Sequence, residues 1–241
     1  MKTFSLIYSL ILFNLLSTNI ALAQSTTHVS GIDDVLTKLN LNRSITGDLN
    51  YSYQDIDGSP FIFEGFSKGT IKLKKSAPIE GDFRFDKYAE EIQFKKNEIL
   101  YAIAFPKEVE YIQIDSLKFI YSEFILPDHN FKNEQDTYFI IKADGPYKLL
   151  VKTNISIKNA QPSNGIVPAM NAKFITKSDS YFIKKLEEPA IKIQNEKSML
   201  SIFSDKKEEI SNFIKSNHLS TKKLDDLKEI VTYYNLSYTS N

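Results

Sequence analysis

Alternation of apolar and polar residues is the main pattern between about residue 50 and residue 194. Apolar side chains occur at every second position in 70–74, 82–86 and 91–95, and most clearly in the longer segment 147–158, YKLLVKTNISIK. This period of two is typical of antiparallel strands with one buried and one wet face. The segments 98–104 and 117–124 are apolar on both faces and predict central or covered strands.

The period changes to 3.6 near both ends of the chain. Residues 31–42 predict a short amphipathic helix. A pair of helices is predicted after residue 196, the first begun by Asp205 with Glu208 as a capping pair and ended at Asn217–His218. Ser220 or Thr221 is expected to cap the second. Its apolar stripe is Leu224, Leu227, Ile230, Val231 and Tyr234, which we expect to dock on the sheet rather than to bind a partner.

These patterns predict an α+β fold. Its main part is an antiparallel curved β-sheet or half-barrel, closed off by a C-terminal helical hairpin. The expected boundaries are 24–49 for an N-terminal segment with the short helix, 50–195 for the β domain and 196–241 for the hairpin. Residues 159–180 contain two prolines, a glycine and little periodicity, so they predict a long loop that is either mobile or functional.

The first residues predict export. Lys2 is followed by an apolar run at 4–16 and by Ala21–Leu22–Ala23, a pattern that signal peptidases cut. We expect residues 1–23 to be a cleaved signal peptide; the alternative is an uncleaved N-terminal anchor. No later stretch reaches about 18 apolar residues, so the mature chain is expected to have no membrane span. The absence of cysteine favours a bacterial periplasmic or extracellular location.

Charge argues against two classes of partner. The chain has 30 basic and 30 acidic residues, and loss of Lys2 with the signal peptide leaves 29 basic residues against 30 acidic ones. This balance does not predict binding to nucleic acid or to an anionic bilayer.

Metal and cofactor sites are not predicted. Asp55–Ser59, DIDGS, resembles the start of a calcium loop, but the position that requires glycine is Pro60 and the position that requires glutamate is Phe66. Asp-Gly followed by Ser-Pro predicts a turn instead. The three histidines, His28, His129 and His218, lie far apart and lack the ligand spacing of a zinc site. No cofactor is expected.

Catalytic motifs are also missing from the sequence. It contains no G-x-S-x-G elbow and no glycine-rich phosphate loop. The carboxylate pairs Glu90–Glu91, Glu187–Glu188 and Asp225–Asp226 lie in Lys-rich segments, and neighbouring residues of a strand point to opposite faces. We therefore expect surface charge rather than a catalytic pair, and a protein that is not an enzyme.

The best candidates for a binding site are aromatic. Tyr101, Tyr111 and Tyr121 recur at ten-residue intervals on successive predicted strands, and Phe119 lies beside the last of them. These four residues, together with Tyr138, could line a small-molecule pocket inside a curved sheet. The alternative, which we favour, is that they belong to the core with their hydroxyl groups at its rim.

Several short motifs occur along the chain in a recognisable order. They are Gly58–Ser59–Pro60–Phe61, Phe66–x–x–Gly69–Thr70–Ile71–x–Leu73, Phe83–Arg84–Phe85–Asp86, Tyr88–x–x–Glu91–Ile92–x–Phe94, Lys173–Phe174, Tyr181–Phe182–Ile183–Lys184–Lys185, Phe203–x–Asp205–Lys206–Lys207–Glu208–Glu209–Ile210, Asp225–Asp226–Leu227 and Tyr233–Tyr234–Asn235. Together they resemble a group of uncharacterised exported Bacteroidota-type bacterial proteins, and the resemblance covers most of residues 50–237. It implies a secreted or periplasmic β-rich domain with a helical end, and it assigns no catalytic residue.

The sequence therefore predicts an exported, non-enzymatic binding or interaction protein of the cell envelope, with a protein partner of unknown identity. One alternative is a carrier of a small apolar ligand, held in a pocket lined by Tyr101, Tyr111, Phe119 and Tyr121. Another is a hydrolase acting on envelope or polysaccharide material. It would require two convergent carboxylates, or a nucleophile with a base, in one cleft.

Overall fold

The computed structural model describes residues 42–44, 53–74, 76–96, 99–126 and 135–239. The predicted signal peptide at 1–23 lies outside the described residues. So does the helix predicted at 31–42, apart from Asn42, which begins a short strand. His28 and His129 are also outside them.

The described part of the chain contains twelve strands, three α-helices and three short 3-10 turns. The strands are β1 (Asn42–Ser44), β2 (Ile56–Asp57), β3 (Ser67–Leu73), β4 (Ile79–Asp86), β5 (Glu91–Lys96), β6 (Ile99–Ile103), β7 (Val109–Ile114), β8 (Leu117–Ile125), β9 (Gln135–Ala143), β10 (Tyr147–Lys158), β11 (Ala172–Lys185) and β12 (Ala190–Lys192). The helices are α1 (Glu196–Ile202), α2 (Lys207–Ser216) and α3 (Leu224–Thr239).

The sheet has an open half and a closed half that share strand β8. The open half runs in the order β1-β6-β5-β4-β3-β7-β8. From β8 the sheet continues through β12, β11, β10 and β9, and β9 pairs with β8 again, so five strands form a closed ring. Pairing is antiparallel except between β12 and β8 and between β2 and β11. The predicted α+β class with a curved, mainly antiparallel sheet is confirmed.

Three apolar clusters follow from the two faces of this sheet. One face of the open half buries Ile71, Phe83, Phe94 and Phe119 with their neighbours. The interior of the ring is filled by Ile120, Phe124, Phe139, Leu150, Phe182 and Ala190. The third cluster joins β10 and β11 to the helices. Full burial of each large apolar side chain stabilises the fold by about 1.5–3 kcal/mol, so strands that contribute to two clusters are apolar on both faces.

The C-terminal helices pack on the sheet through the predicted stripe. Leu227, Ile230, Val231 and Tyr234 of α3 are all fully buried against β10 and β11. Asn235 fixes the contact, because its Oδ1 accepts a hydrogen bond from the Tyr147 N–H at 3.0 Å and its Nδ2 donates to the Tyr147 carbonyl at 2.8 Å. The hairpin is preceded by a further helix, α1, whose N-cap is Asn195.

Both predicted helix caps were wrong. A 3-10 turn at Ser204–Lys206 precedes α2, which moves Asp205 out of the capping position; its carboxylate instead accepts a hydrogen bond from the Tyr234 hydroxyl at 2.8 Å. Helix α3 begins at Leu224. The Ser220 hydroxyl accepts a hydrogen bond from the Lys222 N–H in the turn before it.

The long loop predicted at 159–180 is much shorter. Strand β11 begins at Ala172, and residues 159–171 form the end of a β10–β11 hairpin closed by a bridge between Gln161 and Met170. The prolines that suggested a loop lie beyond the regular ladder. Residues 176–180, TKSDS, are polar on both faces, which hid the strand period.

The Asp55–Ser59 segment bends at Gly58, where a turn was predicted, but Ile56 and Asp57 before the bend form strand β2. Gly58 has φ of +86°, a left-handed conformation that glycine adopts without strain, and the Ser59 Oγ accepts a hydrogen bond from the Phe61 N–H at 3.2 Å. Ile56 and Asp57 pair in parallel with Ala172 and Lys173. The segment therefore pairs with the first residues of β11, at the outer end of the β10–β11 hairpin next to its turn.

Candidate functional site

The sheet forks at β8, and a groove lies in the fork. The ladder between β7 and β8 ends at the pair Ile112–Phe119, although both strands continue. On the same side of β8, the next strand, β12, begins to pair only at Phe124. The four residues Ile120–Glu123 between these points pair with β9 on their other side and face a groove of about 720 Å³. We call it the fork groove.

A β-bulge explains why β7 leaves β8 at this point. In the β3–β7 ladder Lys72 pairs with Tyr111 but Leu73 pairs with Val109, so Glu110 is the extra residue. A bulge bends its strand and increases the local twist. Val109 and Glu110 therefore turn away from β8 and form one wall of the groove.

The fork groove has an apolar floor and a charged rim. Tyr111, Ile120 and Ile141 form the floor and pack on the cluster inside the ring. Leu186 and Pro189, in the connection between β11 and β12, form the opposite wall. The lysines of the rim are Lys74, Lys107, Lys118, Lys148 and Lys184.

Carboxylates neutralise much of the lysine rim. Asp144 pairs with both Lys118, at 3.2 Å, and Lys148. Burial alone would raise the pKa of Asp144, but hydrogen bonds and attraction from the two lysines outweigh it and hold the pKa below its ordinary value. The Lys118 ammonium also lies 4.6 Å above the centre of the Tyr111 ring. This part of the rim is held in one arrangement by its own contacts.

Two carboxylates converge on one lysine at the other end of the rim. The Lys107 Nζ lies 2.9 Å from Glu123 and 3.0 Å from Asp136, and these hydrogen bonds raise the pKa of Lys107. Tyr121 donates its hydroxyl to Asp136 at 2.8 Å. Burial would raise the pKa of Asp136, but the bonds from Tyr121 and Lys107 lower it. A lysine between two carboxylates, one of them held ionised, suits an ion pair better than an acid–base pair.

Lys184 is a half-buried cation of the rim. Burial lowers the pKa of its ammonium, against the attraction of Glu187 and Glu123. Its Nζ donates to the Glu188 carbonyl at 2.5 Å. This contact ties β11 to the turn before β12, and it holds the wall of the groove in place.

The four aromatic candidates do not share one pocket. Phe119 is buried in the cluster on the open half of the sheet, and Tyr101 and Tyr121 pack against that cluster. Tyr101 stacks on Phe94 there. Tyr111 lies on the opposite face and packs against the ring interior. Tyr111 and Tyr121 both border the fork groove, from opposite faces, because the groove is a gap in the sheet itself.

Burial and a hydrogen bond shift the ionisation of Tyr121. Burial is the larger cause and the bond to Asp136 the second; together they raise the pKa of Tyr121 to about 12. The neighbouring Tyr138, whose ring meets Tyr121 edge-on at 4.9 Å, is buried more deeply. Its hydroxyl has no hydrogen-bond partner among the described residues. Tyr121 is thus the polar end of this aromatic pair, and Tyr138 the buried end.

Sequence reasoning missed the groove because it depends on pairing between distant segments. Glu110 gives no local signal of a bulge, and the approach of β12 to β8 joins residues 190–191 to 124–125. The run of apolar residues on both faces of 117–124 was the available signal. It predicted a central or covered strand, and in the structure β8 contributes to two clusters.

The described residues hold neither a candidate metal site nor a candidate membrane-spanning helix. Residues 42–44, 53–74, 76–96, 99–126 and 135–239 contain no group of three histidine, aspartate or glutamate side chains able to hold a metal ion. None of the helices in these ranges has the length and apolar character needed to cross a bilayer. Comparison of the chain with models of protein families, with curated proteins and with solved structures found no match.

Proposed function

We propose that this chain is an exported, non-enzymatic binding protein of the cell envelope that holds an extended segment of a partner protein in the fork groove. The observation that carries the proposal is the edge of β8 at Ile120–Glu123, which no strand of the described residues covers between β7 and β12. Export rests on the pattern of residues 1–23.

A sheet edge inside a groove suits an extended peptide. Main-chain hydrogen bonds supply affinity when a strand is added to an edge, and pockets for alternate side chains supply specificity. The four residues of the edge span about 13 Å. The apolar floor at Tyr111, Ile120 and Ile141 would receive the alternate side chains, and the paired charges of the rim would contact the peptide's polar positions.

A carrier of a small apolar ligand is the second candidate. The floor of the groove continues into the apolar interior of the ring, which favours a ligand with an apolar body. Hydrolysis has less support, because Lys107 occupies the space between Glu123 and Asp136.

The first experiment compares the masses of the exported, purified protein under native and denaturing conditions. A non-covalent mass of a few hundred daltons that is lost on denaturation would favour the carrier. A clean protein mass would leave the peptide proposal in place. The same sample then serves for hydrogen exchange measured by NMR at single amides. In a strand, alternate N–H groups point to alternate sides, so two of the four amides of 120–123 should exchange fast and two slowly.

Selection of displayed random peptides tests the groove directly. Selected peptides should slow the two fast amides of 120–123. Leu186→Trp, at an exposed position in the groove wall, should weaken their binding at least tenfold by filling the groove. Leu236→Trp, at a similarly exposed position on α3, is the matched control and should leave binding unchanged. Four equally protected amides in the free protein, or equal binding to both variants, would contradict the proposal.

A further inference from the structure

The end of the β10–β11 hairpin exposes apolar side chains. Every residue from Lys158 to Asn171 is exposed, and Ile166 is 91% exposed. Val167 and Met170 are also exposed large apolar residues. The turn is well formed, because the Asn164 Oδ1 accepts hydrogen bonds from the N–H groups of Ile166 at 3.1 Å and Val167 at 2.7 Å. We call residues 161–170 the tip.

Three exposed lysines lie on one face of the hairpin beside the tip. Lys158 and Lys173 are directly opposite each other in the ladder, and Lys177 lies four residues further along β11 on the same face. Like charges directly opposite are destabilising. None of the three forms an ion pair with another described residue. Lys158, Lys173 and Met170 line a hollow of about 420 Å³, and among the described residues that line it Asp57 is the one acidic side chain.

The charge of this region differs from that of the whole chain. From Gly145 to Ser178 there are five lysines and no aspartate or glutamate, although the whole chain has 30 basic and 30 acidic residues. Of these five, Lys152 pairs with Glu90 and Lys148 with Asp144. The three unpaired lysines are the ones nearest the tip, so the balanced net charge conceals a local positive surface.

The other face of the hairpin is braced against the body of the protein. Phe174, which pairs with Ile157 across the ladder, is buried and meets the rings of Tyr53 at 5.2 Å and Tyr88 at 5.7 Å. The brace leaves the lysine face and the tip directed away from these contacts. The hairpin therefore presents its tip as a fixed projection.

We propose that this projection contacts the surface of an anionic lipid bilayer. Ile166, Val167 and Met170 enter the region between headgroups and acyl chains, and Lys158, Lys173 and Lys177 lie over the lipid phosphates. Apolar burial and attraction to anionic lipid add together in such interfacial contacts. Each lysine near an anionic surface strengthens binding by about fivefold. This surface is separate from the fork groove and does not depend on it.

Co-sedimentation with vesicles tests the proposal. The exported protein, its mature N-terminus established by intact mass, is mixed with vesicles of phosphatidylethanolamine and phosphatidylglycerol or with vesicles of phosphatidylcholine alone. We expect binding to the anionic vesicles, weakened by added salt, and at least tenfold less to phosphatidylcholine. The double variant Ile166→Asp with Val167→Asp should bind the anionic vesicles at least tenfold more weakly.

Two matched controls isolate the tip and the lysines. Phe105→Asp changes another exposed apolar residue and should leave vesicle binding unchanged. Replacing Lys158, Lys173 and Lys177 by Gln should weaken binding at least tenfold, whereas the same change at the exposed residues Lys68, Lys197 and Lys222 should have less than a threefold effect.

Three results would overturn the proposal. They are no binding to anionic vesicles, binding that the tip variant leaves intact, and equal losses in the two triple lysine variants. A concentration-dependent dimer of the wild type that the tip variant abolishes, without vesicle binding, would instead assign the tip to a second copy of the chain.

Discussion

The two ends of the β10–β11 hairpin have the same strands but different surroundings. At the inner end, Leu149, Leu150 and Val151 are at most 1% exposed. At the outer end, residues 154–158 of β10 pair with residues 173–177 of β11. Of these ten residues, Phe174 is the one that is buried. A register shift between Lys152 and Asn154 separates the two ends.

The difference arises from what each face contacts. At the inner end Leu149 packs on the helices while Leu150 fills the ring, so both faces are covered and both are apolar. At the outer end one face is braced by Tyr53 and Tyr88, and the other carries lysines. Stability is therefore concentrated at the inner end, and the outer end is available for contacts with other molecules.

Truncation of an apolar side chain should have the largest effect and should differ most between the two ends. Leu150→Ala removes a fully buried side chain from the ring interior and should lower the free energy of unfolding by about 3–4 kcal/mol. Ile166→Ala, at the exposed tip, should change it by less than about 0.5 kcal/mol. Urea unfolding of both variants measures the difference; similar values would show that the two ends contribute equally to stability.

Asparagine side chains that bind backbone groups give a second comparison. Asn235→Leu leaves the N–H and carbonyl of Tyr147 without their side-chain partner in a buried site and should cost about 2–3 kcal/mol. Asn154, at the outer end, donates to the Ser178 carbonyl at 2.8 Å. Asn154→Leu should cost less than about 1 kcal/mol because water can replace that bond. Thermal unfolding followed by circular dichroism would detect both effects; a larger loss for Asn154→Leu would reverse the comparison.

Removal of two different tyrosine hydroxyls should change the stability of the protein by different amounts. Tyr234→Phe loses the hydrogen bond to Asp205 and should cost about 1 kcal/mol. Tyr138→Phe removes a buried hydroxyl that has no partner among the described residues, so it should leave stability unchanged or raise it slightly. Equal losses in chemical denaturation would mean that the Tyr138 hydroxyl is hydrogen-bonded.

The pH dependence of Asp144, next to the start of β10, should be the smallest effect. Its folded-state pKa lies below the unfolded value of about 3.9. The carboxylate therefore stabilises the folded state above about pH 4, and this contribution is lost as the pH falls through the folded pKa. The wild type should melt at a higher temperature than Asp144→Asn at pH 7, and the gap should close towards pH 2. A gap that is constant with pH would contradict this assignment.

Much of the fold could be predicted from periodicity, because a strand with one buried face has an apolar side chain at every second position. The strand 147–158 and the buried stripe of α3 were found in this way. Asp205 was misassigned as a cap, since a local motif cannot reveal that a tyrosine 29 residues later binds the same carboxylate. The aromatic candidates show the same limit. The three tyrosines do lie on successive strands, β6, β7 and β8. Ile112 pairs with Phe119, however, so the alternation of side chains along β7 places Tyr111 on the face opposite Phe119.

The parallel pair between β12 and β8 has a consequence for the order of folding. Strands β3 to β7 pair with near neighbours in sequence, apart from the contact of β3 with β7, whereas the ring cannot close until residues 190–191 reach 124–125. Contacts between distant residues slow folding because a long loop must close first. When the N-terminal residues are synthesised or exported first, the open half of the sheet would therefore form early. Until β12 pairs with β8, the interior of the ring would remain accessible to chaperones and proteases. Pairing of this three-residue strand is therefore the step that commits the molecule to its native state.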